Sequence, residues 1–95
     1  MYNTDVKREA YDLELLTVLM EECSEVIQAA AKCQRYGWES EYEGSTAREN
    51  LEKELGDLQC MIDLLHQHDV VSFTAMDEQA ERKHEKLRRW SNLIE

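Results

Sequence analysis

A chain with no proline and only three glycines, Gly37, Gly44 and Gly56, offers few places where a helix must stop. Long helices are the expectation, and the apolar spacing supports it. Leu15, Leu16, Leu19, Met20, Cys23, Val26, Ile27 and Ala30 recur at helical intervals, and Gly37 closes that segment just past Tyr36. Thr4 can cap its start, with Asp5 placed favourably against the helix dipole; the first ten residues read equally as a separate turn or a frayed end.

Residues 37–45 show no period and are bounded by glycines, so they read as a loop, one that carries Trp38 and Tyr42. Thr46-Ala47-Arg48-Glu49 then fits the capping box, in which a threonine hydroxyl and a glutamate three residues on satisfy each other's backbone donors. A second helix is predicted from about residue 47 to His68, with Leu51, Leu55, Leu58, Met61, Ile62 and Leu65 as its apolar stripe. A third, charged helix is predicted over residues 75–94, capped by Ser72 or by Thr74 in a weak box with Asp77. Its apolar edge is narrow: Met76, Ala80, Leu87, Trp90 and Ile94.

At 95 residues this is one all-α domain, residues 1–95, built as an antiparallel bundle of long helices. A chain this short buries a thin core, so the bundle is expected to be completed by oligomerisation. Eleven Lys and Arg against 21 Asp and Glu leave a net charge of −10, which argues against binding a nucleic-acid polymer. Cys23, Cys33 and Cys60 are an odd set with no close pair, expected reduced in a cytoplasmic protein. No run is long enough to span a membrane, and the first five residues begin no signal peptide.

Two acidic runs interrupt the apolar stripes, Glu21-Glu22-Cys23-Ser24-Glu25 and Glu54-Leu55-Gly56-Asp57. Residues three apart share a helix face, so Glu22 with Glu25, and Glu54 with Asp57, form side-by-side carboxylates. At about 100° per residue, Glu54 falls roughly 40° from the stripe centre at Leu58 and Asp57 about 100° away. On the first helix Glu22 lies within the apolar arc and Glu25 borders it. An ionised carboxylate against a core costs several kcal/mol unless a proton, a base or a metal neutralises it. Bases are scarce near these acids, and a hard divalent cation such as magnesium takes oxygen ligands.

Glu22-x-x-Glu25, residues 26–53, then Glu54-x-x-Asp57 resembles the ExxE…ExxD signature of the MazG-like, all-α nucleoside triphosphate pyrophosphohydrolases. Glu21 extends the first motif to EExxE, and Lys83-x-x-Lys86-x-x-Arg89-Trp90 is similar to the basic helix of compact, phage-type members. The resemblance covers roughly residues 11–92. It implies magnesium-dependent cleavage between the α- and β-phosphates of a nucleoside triphosphate, giving a nucleoside monophosphate and pyrophosphate, with manganese as the alternative ion. It also implies Glu22, Glu25, Glu54 and Asp57 as metal ligands, Glu21 just behind them as a support for those ligands or a water-orienting base, and a homodimer or homotetramer.

Holding a triphosphate on an acidic protein calls for local cations. Lys83, Lys86 and Arg89 share one face, and Lys32, Arg35 and Lys53 lie within a few turns of the acids. Trp38 or Tyr42 can supply a stacking surface for the base. Against this stands an ordinary reading of the charges as solvated helix faces, with Glu49–Lys53, Glu78–Arg82 and Glu85–Arg89 as i,i+4 pairs. A competing function is a non-enzymatic helical interaction protein, a partner or inhibitor of a host factor. A carboxylate-bridged iron or manganese centre is weakened by the absence of Glu-x-x-His, and His66 and His68, two apart, face different directions on a helix. Gly56, inside the second motif, predicts the close approach of another helix or a ligand.

Overall fold

The computed structural model describes residues 4–95, with side chains from Lys7 onward. Three helices carry the chain: α1 (Thr4–Tyr36), α2 (Ala47–Gln67) and α3 (Phe73–Trp90). Between α1 and α2 runs a two-stranded antiparallel hairpin, β1 (Glu41–Tyr42) and β2 (Ser45–Thr46). At about 1.5 Å per residue α1 is roughly 50 Å long. It is continuous from Thr4, which excludes a separate N-terminal turn, while the expected Thr4 side-chain cap and the role of Asp5 lie outside the described side chains. The chain gathers into two compact units, one ending at Leu65 and the other comprising His66–Glu95.

In the first unit, α1 stops where glycine permits it. Gly37 takes φ +94°, a left-handed conformation that costs a glycine little, and its N–H donates to the Cys33 carbonyl at 2.9 Å. The predicted loop is a hairpin at its centre. Glu43 (φ 50°) and Gly44 (φ 86°) form the two-residue connection with positive φ at both positions, whose twist matches that of the flanking strands.

This hairpin is tied to the start of α2 by backbone bonds. A helix begins with N–H groups that have no partner within the helix. Ala47 N–H donates to the Ser40 carbonyl (2.8 Å), Arg48 N–H to the Trp38 carbonyl (2.9 Å) and Glu49 N–H to the Thr46 hydroxyl (3.1 Å). The Thr46 N–H donates in return to Glu49 Oε1 at 3.0 Å, which closes the predicted capping box. Arg48 also pairs with Glu39.

Packing in this unit follows one seam on each helix. Leu15, Ala29 and Cys33 on α1, and Ala47, Met61 and Leu65 on α2, are buried. Val18, Leu19 and Val26 on α1, and Leu51, Leu58, Ile62 and Leu64 on α2, are half-buried along the same faces. The apolar stripe read from α1 is wider than this seam. Leu16, Met20 (64% exposed), Cys23, Ile27 (69% exposed) and Ala30 each sit next to a seam residue but face outward. Gly56 has open space around it: a Cβ there would meet nothing within 4 Å, so among the described residues no element makes the close approach expected from sequence.

In the second unit, Asp69 (φ 60°) turns the chain after α2, and its N–H donates to the His66 carbonyl at 3.0 Å. Ser72, not Thr74, caps α3, accepting from Ala75 N–H at 3.2 Å, so the helix starts at Phe73. The His66 ring stacks on Phe73 with centroids 3.7 Å apart. The helix ends at Trp90, four residues short of the expected 94, because Ser91 turns extended and its hydroxyl and N–H both donate to the Leu87 carbonyl.

The capping box makes a checkable contribution. The Thr46 backbone N–H, with the Thr46 side chain second, holds the Glu49 carboxyl below its usual range. Stability from a depressed carboxyl is present above the unfolded value and lost as pH falls through the folded one. Thr46→Ala is expected to cost about 1 kcal/mol in urea unfolding. Glu49→Gln should be less stable than wild type at neutral pH, with the gap closing under acid; a gap constant with pH would rule out the ionised box.

Candidate functional site

Glu22 and Glu54 occupy core positions of a heptad. Leu15 and Ala29 lie seven residues either side of Glu22, Ala47 and Met61 seven either side of Glu54, and all four are buried. The same spacing that buries those residues carries each glutamate into the α1–α2 seam. Glu22 is half-buried there, and the Glu54 side chain keeps only 16% exposure.

The result is a convergence of three acids. Glu22, Glu54 and Asp57 each offer a carboxylate oxygen, and these oxygens all lie within 4.8 Å of one another. Asp57 reaches the group from the exposed rim of α2. Glu25, also exposed, stands outside this closest set. Its charge still bears on Glu22, whose carboxyl is raised above its usual value first by desolvation, then by the charges of Asp57, Glu54, Glu25 and Glu21. Lys53 offers partial relief, its Nζ 3.9 Å from Glu54 Oε1, but its side chain is largely exposed and the pair is weak. The anticipated Glu49–Lys53 pairing gives way to this contact and to the capping box.

The remaining sequence candidates separate. Glu21 is exposed on the turn beside Glu22, its carbonyl accepting from the Ser24 hydroxyl at 2.8 Å. Lys32 lines a cleft of about 390 Å³ at the hairpin end of the first unit, together with Tyr36 of α1, Ser40, Glu41 and Tyr42 of the hairpin, and Asn50 of α2. Trp38 is exposed and is not among the residues lining that cleft; its part in the fold is the carbonyl that receives Arg48. Lys83, Lys86 and Arg89 belong to the second unit and are exposed on α3, where Arg89 pairs with Glu85 at 3.7 Å. The expected Glu78–Arg82 pair is replaced by a bond from Arg82 to Gln79. Cys23, Cys33 and Cys60 are free thiols.

Sequence reasoning passed over Tyr36, Glu41 and Asn50. Asn50 had a readable signal, lying four residues before Glu54 and therefore one turn away on the same face. Glu41 had none, because its place depends on the hairpin.

A model of the MazG nucleotide pyrophosphohydrolase domain matches residues 11–92. The chain belongs to the MazG nucleotide pyrophosphohydrolase family. Among curated proteins and solved structures no significant match is found. Family membership accords with the all-α fold and with a nucleotide as substrate, and among the described residues no helix is long and apolar enough to cross a membrane.

The acids of this MazG chain predict their own response to a cation. A raised carboxyl means that ionisation of Glu22 disfavours the folded state; its stabilising contribution is present below the unfolded value and lost as pH rises through the folded one. Glu22→Gln is therefore expected to raise the melting temperature in EDTA at neutral pH and to remove any further rise that a divalent cation such as magnesium would give the wild type. An unchanged melting temperature in EDTA, or an intact magnesium response, would sink this reading.

Proposed function

We propose that the chain is a magnesium-dependent nucleoside triphosphate pyrophosphohydrolase, cleaving between the α- and β-phosphates to release a nucleoside monophosphate and pyrophosphate. The observation that supports it is the convergence of Glu22, Glu54 and Asp57 from two helices in a chain of this family. The donor set fits a hard cation, being all carboxylate oxygen, and its mutual repulsion is what a cation relieves. Magnesium is the first candidate and manganese the second. Such an ion, when bound, offsets polyphosphate charge and makes a water acidic enough to attack phosphorus.

The protein's own groups hold and orient. Glu22, Glu54 and Asp57 would hold the ion, with Glu25, one turn along α1, as the fourth carboxylate. Glu21 orients the attacking water and accepts its proton. Lys53, beside Glu54, meets the phosphates as a mobile point charge. The N-terminus of α2 takes no part in phosphate binding, because the N–H groups of Ala47, Arg48 and Glu49 are already engaged.

Glu54→Gln and Asp57→Asn are each expected to abolish pyrophosphate release while leaving the helical circular-dichroism spectrum unchanged. Full activity in either variant would remove the site. The same assay separates the enzyme from a non-enzymatic interaction protein, which would release no pyrophosphate from any nucleotide.

Assembly as a homodimer or homotetramer is supported by the outward stripe of α1, where Leu13, Leu16, Met20, Cys23 and Ile27 recur at three- and four-residue steps with their side chains exposed. Sedimentation velocity should show a dimer or larger, and a Met20→Glu, Ile27→Glu double variant should sediment as a monomer. A monomeric wild type at high concentration would overturn the assembly.

A further inference from the structure

The cleft at the hairpin end of the first unit has the size of a ligand pocket, about 390 Å³. Its walls are held in place by backbone, since Ser40 and Trp38 carbonyls fasten the hairpin to the first turn of α2. It lies beyond the acid cluster along both helices. Asn50 is four residues from Glu54, roughly 6 Å along α2, and Lys32 is ten residues from Glu22, roughly 15 Å along α1, at 1.5 Å per residue. That offset suits a nucleotide whose phosphates sit at the acids, because only the sugar stands between the α-phosphorus and the base.

The lining selects among bases. Tyr42, largely exposed at the cleft, offers its ring faces for stacking, and Tyr36 offers the face opposite the Arg35 guanidinium, which lies 5.8 Å from its ring centre. Of the charged groups lining the cleft, Lys32 donates only and Glu41 accepts only. A carboxylate is matched by two adjacent N–H donors on one base edge. Guanine has that edge in its ring N–H and 2-amino group, with a carbonyl oxygen alongside for a cation. Adenine and cytosine set an acceptor nitrogen beside their amine, which the carboxylate repels, and uracil and thymine flank a single N–H with two carbonyl oxygens.

We propose that this cleft binds a guanine base, making the chain selective for guanine nucleotides. Glu41 accepts from the ring N–H and the 2-amino group, and Lys32 donates to the 6-carbonyl oxygen. Tyr36 and Tyr42 pack on the ring, and Asn50, nearest the acids, meets the sugar hydroxyls. The inference rests on the acid cluster being the phosphate end of the site.

Titration calorimetry with nucleoside monophosphates in magnesium tests the cleft apart from the chemistry, since a monophosphate has no bond between α- and β-phosphates to cleave. GMP is expected to bind wild type about tenfold or more tighter than AMP, CMP, UMP or IMP, the last lacking the 2-amino group. Glu41→Gln should erase the preference of GMP over IMP, and Tyr42→Ala should weaken all of them alike, both with unchanged circular dichroism. Equal binding of all five, binding of none, or a Glu41→Gln variant that keeps the preference would overturn the proposal. Pyrophosphate release is scored separately. Hydrolysis without a guanine preference overturns the base assignment alone, and guanine-selective binding without hydrolysis upholds the cleft and removes the hydrolase reading.

Discussion

Carboxylates placed in the seam between two helices repel one another, and the first unit is arranged around that repulsion. Glu22 and Glu54 stand at positions where the residues seven before and seven after are buried, so the helices cannot pack along their seam without bringing the two acids together. Asp57 adds a third carboxylate from the rim. A core made for stability alone would place aliphatic side chains there, since an uncompensated charge in a seam costs several kcal/mol. The raised Glu22 carboxyl is the local sign of desolvation and of the acids' mutual repulsion, and a bound cation would relieve that repulsion.

The hairpin is the second constraint, because it fixes how α2 enters the pair. Three backbone donors at the start of α2 are engaged, two by hairpin-side carbonyls and one by the Thr46 hydroxyl. With its entry pinned in this way, α2 presents Glu54 opposite Glu22 and not a turn away. The same bonds hold Glu41 and Tyr42 over the cleft, so one short segment both aligns the acids and walls the neighbouring space. The outward stripe of α1 is a separate matter of surface: five of the eight apolar residues that mark the helix in the sequence, Leu16, Met20, Cys23, Ile27 and Ala30, are exposed.

The sequence by itself determined the helices and the acids. The want of proline and scarcity of glycine, the capping box at Thr46, the stop at Gly37 and the apolar periods mark the end of α1 and both ends of α2 to within a residue, because these are local effects of backbone conformation and hydrogen bonding. The angular place of Glu22 and Glu54 inside the apolar arcs was equally legible, since it follows from helix periodicity. The ends of α3 were less so: Ser72 and Ser91 competed with Thr74 and with a run of helix-forming residues, and the winner depended on which hydroxyl the backbone presented to a free group.

Only the tertiary structure decided which of the two apolar faces of α1 is the seam, because periodicity cannot distinguish adjacent faces when both are apolar. It also set Glu22, Glu54 and Asp57 within 4.8 Å while leaving Glu25 outside that closest set, a difference that turns on rotation and register between helices. The cleft belongs wholly to this level. Lys32, Glu41 and Asn50 are separated in the chain and become neighbours because a hairpin turn with two positive φ angles folds one helix end back upon the next.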